Sequence, residues 1–160
     1  MDDIAQVVGI SRSALYLHFR NKDDIFKSLA KRYFDEAAID VATELSIPDR
    51  PGADTLAAAF LAYDGKFMEV VLGTPHGAEL LEAGHMISAD LVANGEARIR
   101  ALLENWLNMA PVPSALGSAD QLAATIHASL KGLKSTAKSL DSYRAAQRQL
   151  AQMVALALGR

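Results

Sequence analysis

Residues 2–22 constrain the fold of this chain most, because two short helical patterns meet there at a glycine. In the first pattern Ile4, Ala5 and Val8 fall on one face of a helix, and the small Ala5 lets a second helix cross close by. Gly9 can adopt the positive φ that a tight turn between two helices requires. The segment therefore predicts two helices joined by a sharp turn.

The second pattern begins at Ser11, a residue type that is favoured as an N-cap. Leu15 and Phe19 lie four residues apart and face inward, which leaves the polar side chains of this helix outside. Two short helices in this order are typical of a helix-turn-helix, whose second helix lies in the DNA major groove. An ordinary helical hairpin packed on a core is the alternative that spacing alone leaves open.

Residues 11–26 then read Ser-Arg-Ser-Ala-Leu-Tyr-Leu-His-Phe-Arg-Asn-Lys-Asp-Asp-Ile-Phe. This run closely resembles the recognition segment of tetracycline-repressor-like (TetR family) transcriptional regulators, and the resemblance extends from Asp3 to about Tyr33. It implies an all-α fold in which an amino-terminal helix-turn-helix is followed by an all-helical ligand-binding and dimerisation domain.

Composition agrees with a helical regulator and excludes several other classes. The chain has 160 residues, of which 51% are apolar, so it can bury a substantial core. It has no cysteine, which rules out disulfides and thiol chemistry. No apolar run approaches the ~18 residues of a membrane span, and no signal peptide is visible. We therefore expect a soluble, cytoplasmic protein with no membrane partner.

The charges are distributed unevenly. Residues 11–34 contain six basic and two acidic residues, a local charge of +4 in a chain whose net charge is −3. The remainder of the chain must then carry −7. One basic end on an acidic body is suited to a single nucleic-acid face.

Helical periodicity continues to the end of the chain. A long helix capped by Asn21 is expected to end near Leu45, and prolines 48 and 51 mark a boundary between residues 1–46 and 47–160. Further helices are predicted over 53–73, through Leu80 and Leu81 to about Gly84, and over 88–109. A capping box at Ser118 begins a helix whose pattern runs to residue 140, and the last helix covers about 142–158.

The same patterns assign helix faces. Leu29 and Val70 belong to apolar stripes, whereas Asp64 lies off its stripe with Lys66 and Glu69. In the last helix Leu150, Met153, Val154 and Ala157 are expected to point inward.

The candidates for DNA contact are Arg12, Ser13, Ala14, Tyr16, Leu17, His18 and Lys22. Arg12 can pair with guanine, Ser13 with a base edge or phosphate, and Ala14 with a thymine methyl group. Lys22 begins the next helix, where its charge and the helix dipole both favour phosphate. The resemblance implies that Tyr16, His18 and Lys22 contact the DNA backbone.

The candidates for a ligand cavity are Phe60, Tyr63, Phe67, Met68, His85, Trp106 and His127. Apolar walls with a few polar groups describe a small-molecule site, but the same residues equally describe a core. The resemblance favours a cavity for a small, largely apolar effector.

The candidates for a dimer interface are Leu122, Ile126, Ser129, Gly132, Leu133, Leu150, Met153 and Val154. Small residues beside an apolar stripe let helices approach closely, as in a four-helix bundle. Closing the core of a single chain is the alternative, and the resemblance favours a homodimer.

No motif for catalysis or metal binding stands out. The histidines are widely spaced and lack cysteine partners, and there is no phosphate loop or nucleophile elbow. We therefore expect no enzyme, no catalytic residue, no metal and no cofactor.

Members of the resembled family carry a helix before the helix-turn-helix, and here the chain opens directly into the motif. Three explanations remain open: an upstream start, a removed or disordered segment, or a genuine loss with weak DNA binding. In the 160-residue chain Ile4, Val8, Leu15 and Phe19 lack part of their cover. We therefore expect a loosened DNA-binding end and poor operator binding unless residues upstream of Met1 are restored.

These observations together favour a ligand-responsive transcriptional regulator. We expect a repressor that binds a palindromic, double-stranded operator as a homodimer and is released by a small molecule. The alternative is a helical ligand- or partner-binding dimer without DNA binding. The sequence does not identify the ligand, the operator or the regulated genes.

Overall fold

The computed structural model describes residues 1–77, 79 and 89–160, and their regular structure is helical throughout. The α-helices are α1 (Asp2–Val8), α2 (Arg12–His18), α3 (Lys22–Ser46), α4 (Gly52–Gly73), α5 (Ala89–Leu107), α6 (Ala119–Thr136) and α7 (Leu140–Leu158), with a short 3₁₀ turn at Ser114–Leu116. The predicted all-α class is confirmed. None of the helices in these residues is long and apolar enough to cross a bilayer.

The predicted helix caps are confirmed. The Ser11 hydroxyl accepts from the backbone N–H of Ala14 at 3.1 Å, and the Asn21 side chain accepts from that of Asp24 at 2.8 Å. Ser118 forms the predicted capping box at the start of α6. Each cap satisfies a backbone donor that the first turn of a helix would otherwise leave unpaired.

The turn between α1 and α2 also has its predicted form. Gly9 adopts φ +74°, a left-handed conformation in which a side chain would be strained. The N–H of Ile10 then reaches the carbonyl of Ala5 at 3.0 Å, which closes the end of α1.

The boundary between the last two helices differs from the prediction. The apolar pattern suggested one helix through residue 140, but α6 ends at Thr136 and α7 already begins at Leu140. Ser139 is the reason, because its side chain and that of Ser142 form a second capping box. The predicted helix through Leu80, Leu81 and Gly84 lies outside the described residues.

The body of the protein is a helical bundle with one main core. The second half of α3 packs on α4 and α5, α4 runs along α7, and α5 packs on α6. Phe34, Val41 and Leu45 of α3 belong to this core. The second half of α3 is therefore part of the body. The proposed division at residues 46 and 47 stays a prediction.

Several side chains face differently from the prediction. Only Ala5 and Leu15 are buried where α1 and α2 meet, and Val8, in the last turn of α1, is 62% exposed. Met153 is 60% exposed and Ala157 is also exposed, so neither points inward. The buried face of α7 instead includes Tyr143 and Gln147, two polar residues that an apolar pattern overlooks.

Candidate DNA interface and ligand cavity

The second helix of the helix-turn-helix presents an exposed face. Among the predicted DNA contacts, Arg12, Ser13, Tyr16, Leu17, His18 and Lys22 are all exposed. Leu17 stands out, because 84% of this apolar residue is open to solvent. Ala14 is half-buried beside Leu15, so it is less available to a base than we predicted.

The Arg12 guanidinium contacts two side chains of its own chain. Its guanidinium lies 3.1 Å from a carboxylate oxygen of Asp2 and 5.6 Å from the centre of the Tyr16 ring. Both side chains of the ion pair are 65% exposed, and pairs of this kind stabilise a protein by only ~0–1 kcal/mol. Arg12 can therefore leave Asp2 at little cost when a guanine or phosphate is offered.

Lys22 is the first residue of α3 and is exposed. It stands just after the Asn21 cap, beside the backbone N–H groups that begin the helix. An ammonium and a helix N-terminus at one place favour a phosphate group.

A cavity of about 480 Å³ lies between α3, α4, α5 and α6. It is lined by Phe26, Leu29, Ala30, Tyr33, Phe34, Tyr63, Lys66, Phe67, Val70, Val92, Glu96, Lys131, Lys134 and Ser135. Leu29 and Val70, which are 61% and 48% exposed, face this space rather than a neighbouring helix. The volume is within the range of small-molecule sites.

The structure divides the predicted ligand residues into two groups. Tyr63 and Phe67 line the cavity, and His127 lies beside it, with its Nε2 3.4 Å from the Tyr63 hydroxyl. Desolvation lowers the pKa of His127, so burial favours its neutral form.

The remaining candidates do not reach the cavity. Phe60 and Met68 are core residues, because they are 1% and 0% exposed and neither lines the cavity. Trp106 is also buried, and the Arg160 guanidinium covers its ring at 5.0 Å. His85 lies outside the described residues.

A buried polar cluster next to the cavity was not predicted. Asp64 was expected to lie off the apolar stripe of its helix, yet it is 0% exposed. Its carboxylate accepts from the Tyr33 hydroxyl at 2.9 Å and the Tyr143 hydroxyl at 3.1 Å, and it lies 2.7 Å from the Lys134 ammonium. These partners place α3, α4, α6 and α7 around one buried charge.

The cluster is internally satisfied. Asp64 has three hydrogen-bonding partners, which offset the cost of removing its charge from water. Burial first, and then the charge of Asp64, raise the pKa of the Tyr33 and Tyr143 hydroxyls, so both stay protonated as donors. Because Tyr33 belongs to α3, the cluster connects the helix that starts at Lys22 to the body.

The predicted dimer face is only partly available in the single chain. Gly132 and Met153 are exposed, whereas Leu122, Ser129, Leu133 and Leu150 are half-buried. Ile126 is 1% exposed and Val154 is 9% exposed, so both are core residues with little surface left for a second copy. Leu156, which was not predicted, is 70% exposed on the same helix as Met153.

The comparison with known families covers the amino-terminal helices. A family model described as bacterial regulatory proteins of the tetR family matches residues 1–29, which contain α1, α2 and the start of α3. No solved structure is significantly similar to the chain. With this match and this geometry, residues 1–29 are similar to the amino-terminal segment of bacterial regulatory proteins of the tetR family.

Proposed function

We propose that this protein is a ligand-responsive transcriptional repressor that binds a palindromic operator as a homodimer and releases it when a small molecule fills the body. One observation carries the proposal: α3 contributes both to the DNA-binding end and to the cavity. Lys22 begins this helix, and Phe26, Leu29 and Tyr33 line the cavity one to three turns later.

The helix α3 is long enough to transmit a shift. It has 25 residues, which corresponds to about 37 Å at 1.5 Å per residue. A ligand that displaces Tyr33 or Phe34 moves a rigid rod whose first turn carries Lys22. Such a ligand shifts the balance between the DNA-binding state and the released state only if its affinities for the two states differ.

A dimer makes this movement effective. Two recognition helices read half-sites about 34 Å apart, one turn of the DNA, so a small change in their separation prevents simultaneous docking. The exposed Gly132 of α6 and the exposed Met153 and Leu156 of α7 support a second copy against these two helices. Pairing of this kind is also what the family resemblance implies.

The decisive test selects binding sites from random double-stranded DNA. We expect the chain to enrich a two-fold-symmetric sequence with weak affinity, in keeping with its loosened DNA-binding end, and the selected duplex to bind one dimer in gel-shift titrations. Enrichment of no sequence by a folded, dimeric chain would reject the regulator.

That negative outcome would favour the alternative, a helical ligand- or partner-binding dimer without DNA binding. The Arg12–Asp2 ion pair supports this alternative, because it occupies the side chain best suited to read guanine. Asp2→Asn distinguishes the two functions: in a regulator it frees Arg12 and leaves operator binding equal or tighter.

A further inference from the structure

The cavity combines an apolar interior with several ammonium groups. Phe26, Leu29 and Val92 supply apolar walls, whereas Lys66 enters from α4 and Lys131 and Lys134 enter from α6. Residues 131, 134 and 135 fall on one face of α6, because they are three or four positions apart. This face of α6 is therefore the polar part of the cavity.

The polar lining of the cavity contains three lysines and one glutamate, so ammonium groups outnumber carboxylates among the lining residues. A lysine ammonium has three N–H donors. Within the described chain each of these ammonium groups meets one carboxylate: Lys66 meets Asp40 at 3.0 Å, Lys131 meets Glu96 at 2.9 Å and Lys134 meets Asp64 at 2.7 Å. The Tyr33 hydroxyl is directed at Asp64 and the Tyr63 carbonyl.

The donors of Lys134 are the most valuable for a ligand. Its side chain is only 17% exposed, so water reaches it poorly, and a ligand oxygen placed there replaces little solvent. The ammonium also lies 5.2 Å and 5.4 Å from the ring centres of Tyr63 and Phe67. The aromatic faces that attract a cationic ligand are thus already occupied by a cation of the protein.

We propose, on the basis of the regulatory function above, that the ligand of this cavity is an amphipathic carboxylic acid bound as its carboxylate. The carboxylate accepts from Lys131 and Lys134 on α6, and the apolar body lies against Phe26, Leu29 and Val92. The basic residues that line the cavity are lysines, whose ammonium groups bind a carboxylate as point charges.

Isothermal titration of the full chain with ten-carbon probes tests the ligand class directly. Decanoate, 1-decanol and decyltrimethylammonium share one apolar tail and differ only in the head group. We expect decanoate to bind at least about tenfold more tightly than decanol, since charge-assisted hydrogen bonds are roughly twice as strong as neutral ones. Equal affinities, tighter binding of the cation, or no decanoate binding would each overturn the proposal.

Substitution of one lysine locates the head group. Lys131→Met keeps the length and apolar stem and is expected to weaken decanoate about tenfold while leaving decanol unchanged. Lys138→Met is the matched control, because Lys138 is exposed on the loop after α6 and does not line the cavity. If Lys131→Met binds decanoate as tightly as the control does, the carboxylate does not lie on this face of α6.

Lys134→Met is informative only together with a stability measurement. It removes the cation that pairs with buried Asp64, so we expect a lower melting temperature as well as weaker decanoate binding. Double substitution with Asp64→Asn removes both charges and separates the two effects.

The result is independent of DNA binding, because the titration uses the protein alone. Operator selection without decanoate binding rejects the ligand class and leaves the regulator in place. Decanoate binding without operator selection rejects the regulator and leaves the ligand class.

Discussion

At the scale of single residues, we propose that Lys22 contacts DNA phosphates and that Arg12 reads base edges. Lys22 stands exposed at the start of α3, where a phosphate is favoured whatever the sequence. Arg12 is on the exposed face of α2, where its guanidinium can reach base edges once it leaves Asp2.

Lys22→Ala is expected to weaken binding about equally on all DNA sequences and to reduce the slope of log affinity against log salt by ~1 unit. Arg12→Ala should instead reduce discrimination between the selected operator and random DNA. Gel-shift titrations over a salt series measure both effects. Lys138→Ala is the control for charge, and a Lys22→Ala slope equal to that of the control would remove Lys22 from the phosphate face.

Tyr33 is the residue through which α3 contacts buried Asp64. Tyr33→Phe removes a hydroxyl that donates to the Asp64 carboxylate at 2.9 Å and the Tyr63 carbonyl at 2.7 Å. We expect the free energy of unfolding in urea to fall by about 1–3 kcal/mol, because buried acceptors lose their donor.

The exposed Tyr16 provides the matched control for this loss. Tyr16→Phe removes a hydroxyl from a side chain on the surface and is expected to change stability by less than ~0.5 kcal/mol. If Tyr33→Phe is equally harmless, the hydroxyl does not hold α3 against the body.

At the scale of elements, the fit between α3 and α5 depends on one glycine. A Cβ added at Gly95 would lie 2.2 Å from Cγ of Phe34, so the backbone of α5 packs directly against the Phe34 ring of α3. Glycine in a helix interior costs up to ~1 kcal/mol relative to alanine, and here the close approach offsets that cost.

Gly95→Ala is therefore expected to destabilise the chain by about 1–3 kcal/mol despite the higher helix propensity of alanine. Urea unfolding monitored by circular dichroism measures the change. Gly73→Ala is the control, because a Cβ at Gly73 meets no atom of the described residues within 4 Å. A stabilised Gly95→Ala protein would show that α3 and α5 can separate without cost.

At the scale of the whole molecule, the proposed assembly depends on a face that the single chain leaves open. Gly132 is exposed, and a Cβ there meets no atom within 4 Å in the part of the chain that the structure describes. A large side chain at this position therefore leaves the monomer intact and obstructs only the approach of a second copy.

Gly132→Leu is expected to weaken dimerisation at least about tenfold, because a leucine in a close helix contact must be accommodated by separation of the helices. Sedimentation at several protein concentrations measures the shift toward monomer. Gly73→Leu, at another open glycine, should leave the assembly unchanged. A Gly132→Leu protein that dimerises like this control would place the interface elsewhere.

The sequence by itself determined the features that depend on a few neighbouring residues. The caps at Ser11, Asn21 and Ser118 and the turn at Gly9 follow from local hydrogen bonds and local backbone freedom, and the structure confirms them. The run at 15–22 likewise indicated the family, which the match over residues 1–29 supports. These signals lie within single helical turns, so no distant contact can alter them.

Only the tertiary structure decided which side of each helix is buried. Asp64 is buried because Tyr33 and Tyr143, 31 and 79 residues away along the chain, bring hydroxyls to its carboxylate. Phe60 and Tyr63 look alike in sequence and both are buried in the core, yet only Tyr63 also lines the cavity. The spacing of apolar residues indicates that a helix has a face to bury. The helix that covers this face comes from elsewhere in the chain and is known only once the helices are assembled.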